Sequence, residues 1–184
     1  SLVSLAVEDA YQRLVAPAVE RDLRSELTEK AEQQAIQVFA KNLRSLLMQR
    51  PVRGKTILGI DPGLRTGCKY AVVDDLGKVL EVDVIYPIPP HSRVADAEQK
   101  LKKAISKYNV SGIAIGNGTG SRQVEQFTVE FLKKLNQPGL AYTIVSEAGA
   151  SVYSASKLAG QEFPDLDLSL RSAVSIARRV QDPL

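Results

Sequence analysis

The stretch between Lys55 and Gly67 most constrains what this chain can fold into, because a short apolar run in it ends in an aspartate. The run Thr56–Ile60 has the composition of a buried strand, and Asp61 follows it directly, just before a glycine-rich turn. Glycines at the end of a strand let a ligand approach the backbone closely, and a carboxylate beside them can bind a cation. The stretch therefore predicts a site for a metal ion or a phosphate.

The composition indicates a globular protein with one ordinary domain and an appendage. Of the 184 residues, 44% are hydrophobic and 24% are charged, which are values of folded proteins rather than of disordered tails. The formal net charge of +3 permits a nucleic-acid partner without identifying one.

Residue usage excludes several classes of protein. Cys68 is the only cysteine, so an intrachain disulfide and a cysteine-based zinc site are both excluded. His91 is the only histidine and no serine elbow accompanies it, which argues against a Ser-His-Asp hydrolase. No apolar run is long enough for a transmembrane helix, and a signal-peptide layout is missing. The single cysteine fits a reducing cytoplasm, where we expect the protein. The chain opens within an apparent helix and stops at Gln181–Leu184 without an evident structural reason, so we expect it to be a piece of a longer protein.

Residues 1–50 are predicted to be helical throughout. Apolar residues recur there every three or four positions and form a stripe: Leu23, Leu27, Ala31, Ala35, Phe39, Leu43 and Leu46. The pattern predicts one helix of about 25 residues ending near Met48, with Pro17 at its start or just after the end of a preceding helix. We expect the stripe to pack on the following domain or on other parts of a parent chain. Charges of both signs interleave off the stripe, which favours a connecting helix over one that contacts RNA or DNA.

Residues 51–54 are interpreted as a linker, and residues 55–184 as an α/β domain with a mixed sheet. Three strands close together in sequence predict an antiparallel meander: Thr56–Ile60, Cys68–Val73 and Lys78–Tyr86. Helices and buried strands then alternate: a helix at Arg93–Tyr108, a strand at Gly112–Ile115, a helix at Arg122–Leu135, a strand at Ala141–Val145, a helix at Ala148–Ala159 and a final helix from about Ser169. A meander followed by parallel strands, with helices on the faces of the sheet, is the layout of the ribonuclease H-like fold.

Four motifs in this layout resemble, in the same order, those of the Tex family of bacterial transcription accessory proteins. They are Ile57–Gly63 with Arg65–Gly67, Gly116–Arg122, Val145–Ser156 and Leu170–Leu184. The helical lead-in resembles the segment before the YqgF-type domain of that family, at Tyr11–Leu14 and Pro17–Arg21. The resemblance thus covers nearly the whole chain, as a YqgF (RuvC-like) domain with part of the preceding helical region.

The resemblance implies a large multidomain cytoplasmic protein that binds nucleic acid, RNA or DNA, and ends in an RNA-binding OB-fold module. Within it we expect a non-catalytic ribonuclease H-like module that binds nucleic acid or scaffolds flanking RNA-binding domains, with the transcription machinery as a further partner. The alternative is a divalent-metal-dependent nuclease of Holliday-junction-resolvase type. A nucleotide-binding domain of the actin or sugar-kinase type is disfavoured, because the chain is too short for a two-lobed cleft.

The choice between module and nuclease depends on the acidic residues. Ribonuclease H-like nucleases hold two divalent ions, Mg²⁺ or Mn²⁺, with three or four carboxylates. By the resemblance, Asp61, Glu147 and Asp167 would be the catalytic acids, and Asp61 with Glu147 would bind metal. Asp165 is an alternative to Asp167, and either aspartate could instead belong to the cap of the last helix. Asp61 could likewise cap a turn, and Glu147 could be a first-turn glutamate favoured by a helix dipole.

Two positions depart from the nuclease pattern. Asn117 stands where RuvC-type nucleases carry an acid after the fourth strand, and we interpret it as a residue that tolerates left-handed backbone in a turn. Arg171 stands close to where the last helix would carry an aspartate, and a cation there repels metal ions. One hypothesis is that Arg171 pairs with Asp61 or Glu147 and neutralises the metal site. These departures favour the non-catalytic module, for which no cofactor is expected.

Glycines, hydroxyls and basic residues near the strand ends are candidates for contacts with nucleic-acid phosphates. The candidates are Gly63, Arg65, Thr66, Gly118, Thr119, Gly120, Ser121, Arg122 and Arg171, with Arg178 and Arg179 on the last helix. Residues 118–122 are expected to begin a helix, and their backbone N–H groups can bind an anion. The glycines in this segment also suit a tight strand-to-helix turn. Aromatic residues are only 5% of the chain, so we expect phosphate contacts without base specificity rather than base stacking.

Overall fold

The computed structural model describes residues 1–183, which divide into two compact units. The first unit, residues 1–48, is helical: α1 spans Leu2–Ala10, a π-helical turn follows at Tyr11–Val15, and α2 spans Ala16–Leu47. Helix α2 has 32 residues and is therefore longer than expected. Pro17 lies in its first turn, where the missing N–H costs no hydrogen bond, and no glycine or further proline interrupts it.

Taken by itself, the helical unit buries none of its described side chains. Leu23, Leu27 and Phe39 of the predicted stripe are each more than half exposed. Ion pairs between residues four apart lie along the unit, at Asp9–Arg13, Glu20–Arg24 and Glu26–Lys30. The surface that covers the apolar stripe therefore stays a prediction.

The second unit begins at Gln49 and contains a five-stranded mixed sheet. Its strands are β1 (Ile57–Asp61), β2 (Cys68–Val73), β3 (Val79–Ile85), β4 (Gly112–Gly116) and β5 (Ala141–Val145). The spatial order is β3-β2-β1-β4-β5, with antiparallel pairing along β1–β2–β3 and parallel pairing along β1–β4–β5. The predicted ribonuclease H-like layout, a meander joined to parallel strands, is confirmed.

Within residues 49–183, five helices accompany the sheet: α3 (Val94–Tyr108), α4 (Ser121–Leu135), α5 (Ala150–Ser154), α6 (Lys157–Glu162) and α7 (Leu168–Gln181). The single helix expected at Ala148–Ala159 is thus wrong, because Ser156 adopts extended backbone and its hydroxyl accepts from the Ala159 N–H at 3.1 Å as the cap of α6. Strand β5 is also not buried as expected, since it lies at the edge of the sheet and most of its residues are exposed. No helix within residues 1–183 is both long and apolar enough to cross a membrane.

The two faces of the sheet are covered by different helices. Helices α3 and α4 bury large side chains on one face, in a cluster that includes Leu58, Ile60, Tyr70, Ile85, Leu101, Ile105, Ile113, Ile115, Phe127 and Phe131. Helix α7 covers the other face, in a cluster of Ile57, Ala71, Val73, Ala114, Val145, Ala173, Val174, Ile176 and Ala177. Alternation along each strand assigns neighbouring residues to opposite faces.

Helix α7 lies unusually close to β1 because Gly59 has no side chain. A Cβ at Gly59 would lie 2.5 Å from the Ala173 carbonyl oxygen and 2.7 Å from the Ala177 nitrogen, which is too close for any other residue.

The C-terminal end of α7 is hydrogen-bonded to the segment before β1, so the end of the domain is joined to its beginning. The Gln181 side-chain amide donates to the Lys55 carbonyl at 2.8 Å, across 126 positions of sequence, and the Val52 N–H donates to the Val180 carbonyl.

Candidate functional site

Asp61 and Lys69 lie opposite each other at the end of the β1–β2 pair. They are register partners in the antiparallel ladder, so both side chains stand on the same face of the sheet. Counting back along β1 in steps of two, that face is the one of Gly59 and Ile57, which α7 covers. The strand end, the α7 face and the loop after β1 therefore meet at Asp61.

The Asp61 carboxyl group is partly buried and resists ionisation. Burial raises its pKa from 3.8 to about 6, and the nearby Glu147 carboxylate adds to the rise. Hydrogen bonding with the Ser172 side chain and the positive charge of Lys69 offset part of it. Asp61 is thus a carboxyl group whose protonation changes close to neutral pH.

Glu147 follows β5, and its side chain folds back over the end of β4. A Cβ added at Gly116 or at Gly118 would overlap the Glu147 carboxylate, so the carboxylate occupies the space that side chains at these positions would take. Its Oε1 atom is buried and has no hydrogen-bond partner among residues 1–183. An unpaired buried carboxylate oxygen is costly, and it marks a position where a proton or a cation would be stabilised.

Asn117 fixes the backbone next to Glu147 rather than serving as a turn residue with left-handed backbone. Its φ angle is not positive, so that interpretation is wrong. Its Oδ1 accepts from the Glu147 N–H at 2.9 Å, and its own N–H donates to the Val145 carbonyl at 3.0 Å. The side-chain oxygen is therefore engaged in joining the loop after β4 to the loop after β5.

On α7, Ser172 rather than Arg171 faces Asp61. The Arg171 guanidinium donates to the Phe163 carbonyl at 3.1 Å and to the Ser154 carbonyl at 3.3 Å. The hypothesis that Arg171 pairs with Asp61 or Glu147 is therefore wrong, since this guanidinium holds the segment from α5 to α7 together. A phosphate contact by Arg171 would have to compete with these two hydrogen bonds.

Asp167 is the N-cap of α7. Its Oδ1 accepts from the Leu170 N–H and from the Ser169 hydroxyl, each at 2.8 Å. The hydrogen bond from the Leu170 backbone is the main cause that lowers the pKa of Asp167, with the Lys69 charge contributing. Asp165 is exposed in the turn before it. Within residues 1–183, no three Asp, Glu, His or Cys residues are grouped in a way that could hold a metal ion.

Lys69 is the member of this site that sequence reasoning missed. Its ammonium group donates to the carbonyl oxygen and hydroxyl of Thr66 and to the Gly67 carbonyl, all in the loop between β1 and β2. Sequence did carry a signal for it, because Lys69 is a charged residue within the otherwise apolar strand Cys68–Val73. Its position opposite Asp61 follows only from the strand register.

The predicted phosphate contacts separate into two groups. Arg65 and Arg122 are exposed, and neither side chain makes a hydrogen bond or ion pair with the described part of the chain. Arg178 and Arg179 are instead engaged. Arg178 pairs with both oxygens of Glu162 at 2.6 and 3.1 Å and donates to the Gly77 carbonyl, while Arg179 donates to the Ser146 carbonyl.

The glycine-rich loops that flank Asp61 lie side by side. Leu64 packs against Gly120, whose Cβ position would be 3.1 Å from a Leu64 methyl carbon. Gly120 has a φ of +92° as the N-cap of α4, and the Ser121 N–H donates to the Gly118 carbonyl. Gly63 is needed for the tight first loop, since a Cβ there would overlap the Gly67 carbonyl. Thr119 and Thr66 are exposed on these loops, with Ser121 two residues after Thr119 and Arg65 directly before Thr66.

Comparisons with known sequences find relatives that match most of this chain. The family described as "Tex protein YqgF-like domain" matches residues 55–181. YdcI of Bacillus subtilis is 58% identical over 178 residues, which are 97% of this chain and 25% of that protein. The protein tex of Bordetella pertussis is 50% identical over 91% of this chain, and human "S1 RNA-binding domain-containing protein 1" is 43% identical over 97% of it. The chain spans 21% and 18% of the lengths of these last two relatives.

Solved structures that resemble the chain at low identity include the following two. Thermus thermophilus RuvC has a TM-score of 0.48 and 16% identity, covering 66% of this chain and 90% of that one. The yeast mitochondrial Holliday junction resolvase Ydc2 has a TM-score of 0.44 and 13% identity, covering 77% and 83%. Likeness at this level says nothing about activity. The family match, in contrast, covers well over half of the chain and includes every strand of the sheet, and the chain therefore belongs to the Tex protein YqgF-like domain family.

Proposed function

We propose that this domain is a non-catalytic ribonuclease H-like module of a Tex-like transcription accessory protein. It associates with nucleic acid, either by contacting phosphates itself or by scaffolding RNA-binding domains of the same chain. The observation that carries the proposal is the composition of the site around Asp61. Two carboxylates converge there, and the remaining positions are occupied by residues that are neutral or carry positive charge.

Cleavage by the two-metal mechanism needs three or four carboxylates, because both ions must be held while one activates water and the other stabilises the leaving oxygen. Here Asp61 and Glu147 are the carboxylates that converge. The end of β4 is Gly116, the residue of α7 that faces Asp61 is Ser172, and the ammonium of Lys69 lies close by. This set does not fit a pair of Mg²⁺ or Mn²⁺ ions, each of which requires several oxygen ligands.

Nucleic-acid association draws support from a different part of the same edge. Arg65 stands on the loop after β1 and Arg122 in the first turn of α4, and Leu64 packs against Gly120 between them. Two exposed guanidinium groups, one on a loop and one at the start of the adjoining helix, suit contacts to a phosphate backbone. The name of the human relative, S1 RNA-binding domain-containing protein 1, associates the family with RNA.

A second candidate function, a metal-dependent nuclease, is favoured by one observation. The Glu147 Oε1 atom is buried without a partner near Asp61, and a single divalent ion between the two carboxylates would satisfy it. Two carboxylates could hold one such ion weakly, with water completing its shell.

The two candidates differ in divalent-ion binding and cleavage. The 184-residue chain is titrated calorimetrically with Mn²⁺ beside Asp61→Asn, with Asp165→Asn as a control for the loss of an exposed carboxylate. Branched DNA and single-stranded DNA and RNA are then incubated with each protein and Mn²⁺. The non-catalytic module predicts no cleavage and no tight Mn²⁺ binding. Micromolar binding and cleavage that Asp61→Asn alone abolishes would establish the nuclease and overturn the proposal.

Phosphate contact is tested separately by fluorescence anisotropy with a labelled single-stranded RNA of about 20 nucleotides. Arg65→Ala combined with Arg122→Ala removes two cationic contacts, so we expect affinity to fall roughly tenfold at low salt and the salt dependence to become shallower. Lys102→Ala combined with Lys103→Ala removes the same charge from exposed positions of α3 and should leave affinity within about twofold. Equal losses in both pairs would indicate a non-specific charge effect and contradict contact at the Arg65 loop.

A further inference from the structure

Lys69 is the one charged side chain that is buried within the described part of the chain, with 7% of its surface exposed. Burying an ammonium group is costly unless its donors and its charge are both compensated. Lysine is among the residues least often buried, so its place on β2, facing α7, calls for a physical reason.

The donors of Lys69 are fully used. An ammonium group carries three N–H donors, and the structure provides three acceptors: the Thr66 carbonyl at 2.9 Å, the Thr66 hydroxyl, and the Gly67 carbonyl at 3.0 Å. All three are neutral oxygens, and none of the ion pairs within residues 1–183 includes Lys69. The loop therefore fixes the position of the ammonium group without neutralising its charge.

The charge is compensated by carboxylates at somewhat longer range. Asp61 is the register partner of Lys69 on β1, and its side chain stands on the same face. Lys69 lowers the pKa of both Asp61 and Asp167, so its charge acts on two of the three predicted catalytic acids. The ammonium group thus supplies a fixed positive charge at the acidic end of the sheet.

We propose that Lys69 is the resident cation of this site and that its charge excludes divalent metal ions from Asp61 and Glu147. The inference rests on the proposed non-catalytic function and names the residue that enforces it. A divalent ion entering between the two carboxylates would be repelled by the ammonium group, which its three hydrogen bonds prevent from swinging away. The plain alternative is that Lys69 only anchors the loop, in which case removing its charge would not improve metal binding.

The test compares Lys69→Met with the unmodified 184-residue chain in a calorimetric titration with Mn²⁺. Methionine has nearly the same length and no charge, so we expect Mn²⁺ affinity to rise at least about tenfold once the repulsion is lost. Lys69→Arg keeps the charge and should keep the affinity of the unmodified chain. Thr66→Val removes one acceptor of the loop anchor but leaves the charge, and it should not raise Mn²⁺ affinity.

Two further variants keep the result decisive. Adding Asp61→Asn to Lys69→Met should abolish the gain, because the gain requires the Asp61 carboxylate. If circular dichroism shows that Lys69→Met is unfolded, Lys69→Gln, which loses the charge but keeps two N–H donors, is titrated in its place with the same expectation. A folded, neutral variant that binds Mn²⁺ no more tightly than the unmodified chain would overturn the inference.

The two proposals fail in distinguishable ways. Cleavage of nucleic acid by the unmodified chain would overturn the non-catalytic function. An unchanged ratio of Mn²⁺ affinities between Lys69→Met and the unmodified chain would overturn only the role of Lys69.

Discussion

The two faces of the sheet are packed by different means. On the α3–α4 face, side chains such as Leu58, Ile113 and Phe127 fill the space between sheet and helices. On the α7 face, the middle of the sheet presents Gly59 and other small residues, and the helix approaches the strands closely. All the residues that meet at Asp61 lie on or beside the second face.

The two kinds of packing contribute differently: one face mainly stabilises the domain, and the other sets the geometry of the site. Bulky side chains bury most apolar area per residue, so the α3–α4 face carries more of the hydrophobic stabilisation. A close helix–strand contact adds less buried area, but it sets the distance at which Ser172 and Asp61 meet. Added side-chain volume on the α7 face should therefore be tolerated poorly and should change the geometry around Asp61. Substitutions on the α3–α4 face should lower the stability of the domain without changing the site.

The largest effect should come from Gly59→Val. Its Cβ alone would lie 2.5 Å from the Ala173 carbonyl oxygen, a backbone atom that can yield only if α7 moves. We expect a loss of about 4 kcal/mol or more in the free energy of unfolding, measured by urea denaturation. Gly112→Ala is the matched control on the same face. Its Cβ would meet a flexible Ile57 methyl at 3.3 Å, so the loss should stay near 1 kcal/mol.

Leu101→Ala tests the α3–α4 face, for comparison with Gly59→Val on the α7 face. It leaves a cavity among α3, α4 and the sheet and should cost about 3 kcal/mol. Nucleic-acid affinity and the titration of Asp61, followed by NMR of its carboxyl carbon, should be unchanged in this variant. A shifted Asp61 titration in Leu101→Ala would contradict the separation between the two faces.

A smaller effect, of opposite sign, is expected for Asp61→Asn. The folded-state pKa of about 6 exceeds the unfolded value near 3.8, so the stability contributed by the protonated form is complete below about pH 3.8 and is lost as pH rises through 6. Above that range the native state contains a poorly solvated charge, which asparagine removes. After allowance for partial exposure, Asp61→Asn should stabilise the domain by about 1 kcal/mol near pH 7.5.

The same substitution should have almost no stabilising effect below about pH 3, where Asp61 is largely protonated in the folded and unfolded states alike. Asp165→Asn, at an exposed position, provides the baseline at both pH values. A stabilisation by Asp61→Asn that is equal at both pH values would show that charge burial is not its cause.

The smallest effect should come from Asn117→Ala, at the rim of the site. It removes the acceptor of the Glu147 N–H, and we expect a loss of about 0.5–1 kcal/mol because Asn117 is exposed to water. Thr119→Ala, in the same loop and without a side-chain hydrogen bond, should be neutral within about 0.3 kcal/mol. Thermal melts of the three proteins measure the difference, and equal melting temperatures would show that the Asn117 bridge does not stabilise the loops.

The sheet was predictable from sequence because its strands carry strong local signals. Alternating or continuous apolar runs bounded by glycines placed all five strands within one residue or so of their bounds, and their sequence spacing predicted the meander. Whether a strand lies at the edge or in the centre of the sheet depends on which strands pair beside it. The apolar run Ala141–Val145 carries no information about its neighbours, so its edge position could not be predicted. The break between α5 and α6 depends on the Ser156 cap, and the helical pattern of the surrounding residues does not indicate it.

The site was less predictable, because its details depend on helix phase and on tertiary contacts. One residue along a helix rotates a side chain by about 100°, so the difference between Arg171 and Ser172 decides which of them faces Asp61. The folding back of Glu147 over Gly116 requires the loops after β4 and β5 to lie side by side. Lys69 required the strand register. Asp61 was predicted as a site acid from its place at a strand end, whereas Glu147 was predicted from the resemblance to the Tex family.

The closure of the domain by α7 has a consequence for the order of folding. The hydrogen bond between Gln181 and Lys55 joins groups 126 residues apart, and we expect contacts of such separation to form late because the loop entropy must be lost first. On the ribosome, the meander and β4 emerge well before α7, with the Gly59 face still open to water. We therefore expect the acidic site to form only when α7 docks on the sheet. In a nascent chain that stops short of α7, Asp61 and Lys69 would be exposed to solvent rather than enclosed in a pocket.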